Sequence, residues 1–255
     1  EYPLCYLDLE DAQSPVSVHL EAFTPMIPLD ADNSGIPCGI LSYSVTNTTG
    51  ASLEFTLAGT LPNTACHPLE DATVWSNFNH PMMKTTRGTL YEEEGFASIH
   101  FTNDNGDKTA LRYSDSTLSV LGSGTVAALP QWPDTGWWDA GQLFWDSLRD
   151  YGNFDGISQE MSCSETVKSG SLGLCDTLAP GETKTVTFLI SWNVPNRING
   201  WTEPEPCCCS GCCETPKQTK NYYAVKFADS LATARYVGKN FTMLCEATHR
   251  FHDGL

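Results

Sequence analysis

The chain has 255 residues, with 14 Lys and Arg against 31 Asp and Glu, for a formal charge of −17. With 40% apolar residues and seven Trp it can bury the core of one large domain or two small ones, and no apolar run reaches the ~20 residues of a membrane-spanning helix. The acidity excludes nucleic acid as a partner, because phosphate binding needs clustered Lys and Arg, and it disfavours an anionic membrane surface.

Residues 1–200 read as β-structure. Val16, Val18 and Leu20 alternate with Ser17 and His19, the period of a strand with one buried face. Leu41, Tyr43 and Val45 repeat the pattern, Asn47-Thr48-Thr49-Gly50 supplies a turn, and Leu53, Phe55 and Leu57 resume it, which predicts a hairpin. Ala97, Ile99 and Phe101 predict another strand, closed by Asn103-Asp104-Asn105-Gly106. After the turn Ala179-Pro180-Gly181-Glu182, the residues Val186, Phe188, Ile190 and Trp192 share one face, with Thr185 and Thr187 on the other. Many short strands between Gly, Pro and Asn turns predict a mainly β fold, an antiparallel β-sandwich.

Two segments break this pattern. Leu143, Phe144 and Leu148 have helical spacing and Gly152 follows as a stop, which predicts a short connector helix. From residue 221 onward Phe227, Leu231, Ala234, Val237, Phe241 and Leu244 recur every three or four residues, the stripe of one long amphipathic helix over 221–255. Its apolar face calls for a partner surface. Residues 201–220 between the two regions form a Cys-rich inserted loop.

Five of the 11 cysteines fall at Cys207, Cys208, Cys209, Cys212 and Cys213. Cys208, Cys209, Cys212 and Cys213 are the candidate ligands of a zinc tetrathiolate, since Cys209-Ser210-Gly211-Cys212 lets thiolates converge. Structural zinc sites usually draw their ligand pairs from separate segments, so a disulfide-bonded or inert insertion is the favoured alternative, and no cofactor is otherwise implied. His249 and His252 have the spacing to share a helix face, but no third ligand is local and a frayed, solvated end is the simpler reading. Glu92-Glu93-Glu94 reads as a solvated edge or loop. The sequons at Asn47 and Asn240 do not by themselves fix a compartment.

Trp132, Trp137, Trp138 and Trp145 are the candidate sugar-binding residues. With Tyr151 they interleave with Asp134, Asp139, Asp146 and Asp150, and aromatic faces beside carboxylates suit the apolar faces and hydroxyl edges of pyranose rings. Core packing of the connector helix competes with this reading and is favoured, because Trp is highly buried on average. No nucleotide, metalloprotease or nucleophile-elbow motif is present.

Several segments together resemble the N-terminal domain of the glycoside hydrolase family 116 β-glucosidases, which include non-lysosomal glucosylceramidases. They are the opening Pro3–Asp11, the stretch Val18–Asp30, the run Leu178–Arg197 with its Trp-Asn-Val-Pro-Asn-Arg ending, and Asn221–Val237. The resemblance implies a β-sandwich followed by a linker helix that leads to a catalytic (α/α)6 barrel outside this chain. That barrel would be its partner, and the barrel would hold both carboxylates of a retaining mechanism. No residue here matches those motifs, so no catalytic residue is assigned. The expected function is non-catalytic support of the barrel. A free-standing carbohydrate-binding module resting on the Trp cluster, and a metal-binding interaction module resting on the Cys cluster, are the alternatives.

Overall fold

The computed structural model describes residues 1–66, 85–133, 139–157, 169–199 and 218–255. In chain order the elements are β1 (Cys5–Leu9), β2 (Val16–Phe23), α1 (Ala31–Ser34), β3 (Cys38–Asn47), β4 (Leu53–Pro62), β5 (Thr86–Glu93), β6 (Phe96–Asn103), β7 (Asp115–Leu121) and β8 (Thr125–Leu129). They continue with α2 (Asp139–Tyr151), β9 (Ser169–Leu178), β10 (Thr183–Asn193), β11 (Asn196–Ile198), β12 (Gln218–Lys220), α3 (Tyr223–Lys226), α4 (Ser230–Lys239) and α5 (Phe241–His252). A large sheet runs β1-β2-β3-β10-β7-β6-β5, a small one β4-β9-β8, and β11 pairs with β12. All pairings are antiparallel.

The alternation read from the sequence is what joins the two large layers. Ile99, Phe101, Leu118, Val120, Val186 and Phe188 of the large sheet meet Leu172 and Leu174 of the small sheet in one buried cluster. Residues of opposite parity on the same strands face the other way, where Leu189, Ile40 and Cys38 pack with Phe227, Val237 and Leu244 of the C-terminal segment. On the outer side of the small sheet, α2 adds a fourth layer through Phe144, with Ala127, Leu129, Phe154 and Ile157. The fold is thus mainly β, with helices covering both outer faces.

The expected β3–β4 hairpin is not formed. β3 pairs with β2 and β10, whereas β4 pairs with β9 in the other sheet, so the turn after Asn47 carries the chain across the sandwich. Asn47 explains how the crossing is held. Its buried side-chain amide donates to the carbonyls of Ala51, Leu178 and Ala179 at 2.8, 3.1 and 3.1 Å, and its oxygen accepts from Thr49 N at 2.8 Å. The return crossing from β9 to β10 is tied to the same residue, for Gly181 N donates to Asn47 O and Asn47 N to Glu182 O. Gly181 has φ +74°, a conformation that favours glycine. With every Nδ2 hydrogen engaged in a buried site, Asn47 is no glycan acceptor in the folded chain. Asn240, the other sequon residue, uses its Nδ2 on Tyr236 O at 2.8 Å.

The single long helix expected over 221–255 is also divided. Phe227 is extended at φ −113° and ψ 130°, and Asp229 caps α4 by accepting from Ala232 N at 2.7 Å. An Asp-Ser pair at a helix start is a capping signal, and here it outweighs the continuity of the apolar stripe. Asn240 ends α4 and opens α5. Nor is the apolar face of these helices orphaned: Leu231, Ala234 and Val237 are buried against the large sheet. The stripe that called for an outside partner is satisfied inside the domain.

The chain end is ordered rather than frayed. His249 Nε2 lies 2.9 Å from Glu21 Oε2 and its Nδ1 2.9 Å from Cys245 O, while His252 reaches Glu1 at 3.1 Å. The Glu21 hydrogen bond raises the His249 pKa above its ordinary 6.5 against a smaller opposing effect of burial. A raised imidazole pKa contributes stability that is complete below the unfolded value and is lost as pH rises through the folded value. The urea midpoint of the wild type is therefore expected to fall across that window relative to His249→Gln. Parallel midpoints for the two proteins from pH 5 to pH 9 would contradict this.

Candidate functional site

The outer face of the small sheet and the exposed side of α2 enclose an open groove of about 1120 Å³. On that face its lining includes Thr56, Ala127 and Cys175, and it also takes in Glu54, Glu92, Asp155 and Asp176, with Trp145 and Tyr151 from α2. Among the described residues no Lys, Arg or His lines it. Helix α2 forms because Leu143, Phe144 and Leu148 give it an apolar stripe, and it stops at Gly152, whose φ is +69°.

Of the four tryptophans read as one cluster, the two described ones, Trp132 and Trp145, take different environments. Trp132 is held by packing: its ring stacks on Phe144 at 4.7 Å, and Nε1 donates to Ser171 Oγ at 2.7 Å. Trp145 is 67% exposed and turned into the groove. Trp137 and Trp138 lie outside the described residues, as does Asp134. Phe144 is sandwiched between Trp132 and Phe154, the latter at 5.4 Å, and meets Trp145 edge-on at 5.3 Å. This buried stack fixes the platform from which Trp145 projects. Tyr151, which the sequence placed in the same aromatic cluster, is 64% exposed.

Cys208, Cys209, Cys212 and Cys213 lie outside the described residues. They fall in the sequence between β11 and β12, which pair Asn196 with Lys220 and Ile198 with Gln218. Among the described residues no group of three His, Cys, Asp or Glu is placed to hold a metal. The five described cysteines are free thiols. Burial pushes the Cys38 and Cys245 thiols up to about 12, which leaves neither a thiolate nucleophile at neutral pH. Glu92 and Glu93 sit at the end of β5, the edge strand of the large sheet, and Glu93 pairs with Arg235 at 2.8 Å.

Sequence reasoning missed a second constellation, a buried polar seam under α4. Asp115 on β7 is 3% exposed. Its Oδ1 accepts from Ser230 N at 2.7 Å and lies 3.1 Å from His100 Nε2, and its Oδ2 accepts from Asn193 Nδ2 at 2.7 Å. Burial alone would raise this carboxyl, but the bonds from His100, Ser230 and Asn193 outweigh it and hold the pKa below the ordinary carboxylate value. Thr117 and Ser191 complete the seam through Ser230 Oγ and Ser230 O, each at 2.8 Å. These partners are separated by as many as 115 positions, and no local spacing announces them.

The family model described as "beta-glucosidase 2, glycosyl-hydrolase family 116 N-term" matches residues 1–244. The chain belongs to this family. No curated protein matches it. Among solved structures, a protein assigned as a kojibiose phosphorylase from the human microbiome is similar over 98% of this chain at 9% identity and a TM-score of 0.43. This chain spans 23% of that protein's length. A likeness of that size says nothing about chemistry.

For a family 116 N-terminal domain, the four segments that carried the resemblance have a common structural address. Pro3–Asp11 and Val18–Asp30 supply Leu4 and Phe23, Leu178–Arg197 supplies Leu189, and Asn221–Val237 supplies Phe227 and Val237 to one buried cluster. The Trp-Asn-Val-Pro-Asn-Arg ending acts through its asparagines. Asn193 holds Asp115, and Asn196 Nδ2 donates to Lys108 O and Ala110 O at 3.0 and 2.8 Å. The motifs are packing and hydrogen-bonding devices around the helical face.

Proposed function

We propose that this chain is the non-catalytic N-terminal domain of a retaining β-glucosidase, one that cleaves β-glucosides such as glucosylceramide, and that it buttresses a helical catalytic domain. The observation that carries this reading is the family match across residues 1–244. The electrostatics of six described carboxyls are consistent with it. Retaining glycoside hydrolysis requires one carboxyl kept protonated by a raised pKa, with a second about 5–5.5 Å away. Asp30, Asp104, Asp107, Asp115, Asp150 and Asp176 are instead held below the ordinary value, and each is a hydrogen-bond acceptor. They serve as charged structural acceptors. The anchoring of α5 supports the buttressing role, since Leu244 and Thr248 are fully buried and Thr248 Oγ1 accepts from Met26 N at 3.2 Å. A helix seated this way gives a rigid connection, not a loose tether.

The test is hydrolysis of an aryl β-glucoside by the purified chain. No turnover is expected. Activity that co-purifies with the chain and disappears with Glu54→Gln or Glu92→Gln would overturn the reading.

A further inference from the structure

We propose that the groove between the small sheet and α2 is a binding site for a neutral oligosaccharide, with Trp145 and Tyr151 as the surfaces on which pyranose rings stack. The proposal does not depend on where catalysis occurs. It starts from two large aromatic side chains, 67% and 64% exposed, that project from one helix into the same groove. Both rings are held in place. Phe144 fixes Trp145 edge-on at 5.3 Å, and the Tyr151 ring lies so close over Gly156 that a Cβ there would stand 2.7 Å from it. Ring order of this kind reduces the entropy lost when a ligand stacks.

The two residues are six positions apart, about 9 Å along the helix at 1.5 Å per residue, which suits more than one sugar ring. The lining of the groove offers what hydroxyl groups need. Glu54, Glu92 and Asp155 are acceptors, and Asn153 carries an amide, although its Nδ2 already reaches Asp155 at 2.8 Å. Thr56 lies at the floor, where its hydroxyl donates to Gly152 O. With four carboxylates and no cation among the described residues of the lining, the site repels phosphates and acidic sugars. Asp176 is offset by Lys184 at 2.8 Å. Aromatic faces with hydroxyl acceptors select a neutral carbohydrate. The shallow, open shape fits a chain lying across the surface better than a small molecule enclosed by a pocket.

Calorimetric titration of the full chain with cellopentaose, laminaripentaose and maltopentaose tests this, with each variant's fold checked by circular dichroism. At least one pentasaccharide is expected to bind saturably, with an affinity insensitive to added salt. Trp145→Ala and Tyr151→Ala are each expected to weaken it about tenfold or more, while Trp192→Ala, on an exposed residue away from the groove, leaves it unchanged. Two aromatic variants are used so that misfolding of one still leaves a reading. Silence of the wild type across the panel overturns the proposal, as does binding that survives both aromatic substitutions. Salt-sensitive binding of oligolysine that is lost in Trp145→Ala, with no response to the sugars, would reassign the groove to a basic peptide.

Discussion

Replacing Asp115 with alanine is expected to destabilise the domain by about 3–5 kcal/mol at neutral pH, measured by urea unfolding. The side chain is 1% exposed and is the shared acceptor for three groups, Ser230 N, Asn193 Nδ2 and the His100 ring. Its removal orphans donors that water cannot reach, at about 1–3 kcal/mol for each one left unsatisfied. Ser230 N belongs to the first turn of α4, so the carboxylate also loses its favourable position at the positive end of that helix. The effect has a definite pH dependence. A carboxyl whose folded pKa is lowered contributes stability that is present above its unfolded value and is lost as pH falls through the folded one. The gap between wild type and Asp115→Ala should therefore narrow as acid is added. A variant within about 1 kcal/mol of wild type at pH 7 would mean that the seam relaxes around the loss.

Phe101→Ala is expected to cost about 3–5 kcal/mol, with little dependence on pH. Phe101 is fully buried on β6, where it joins Ile99, Leu118 and Val120 against Leu172 and Leu174 of the facing sheet. The sheets are fitted closely at this point. A Cβ added at Gly170 of β9 would stand 2.7 Å from the ring and 2.8 Å from Pro130 O, so the ring rests directly on backbone. Backbone held in two ladders cannot collapse into the space a lost ring leaves, and the cavity persists. A urea midpoint shifted by less than a quarter of that expected for the full effect, with an unchanged slope, would show that the layers close up after all.

Both effects show where sequence alone was a sufficient guide. Phe101 was assigned to its face by alternation with Ala97 and Ile99, and the structure keeps all three in the core between the sheets. The same holds for Val186 and Phe188 on β10 and for the apolar stripe of α2. Asp115 was invisible, because His100, Asn193 and Ser230 become its neighbours only when β6, β10 and α4 are assembled. Thr187 and Ser191 make the same point. A row of hydroxyl residues alternating with apolar ones reads as a solvated face, yet both are buried and bonded, Thr187 to Ser42 at 3.0 Å and Ser191 to Ser230 O. The candidate sugar residues divided on similar grounds. Composition put Trp132 and Trp145 in one cluster, and only the packing of α2 on the small sheet sends one ring inward and the other out.

Net charge, strand alternation and the order of four motifs were enough to establish a mainly β chain of the family 116 N-terminal type. Those signals are local, or depend only on order along the chain, and a period of two survives whatever the strand pairs with. Partner choice is not local. Tertiary structure alone decided that β3 and β4 lie in different sheets, that Asn47 clamps both crossings, and that the C-terminal helices cover the large sheet. The physical reason is that a buried face specifies only that it must be covered, while hydrogen-bond registry and shape complementarity between distant segments select what covers it.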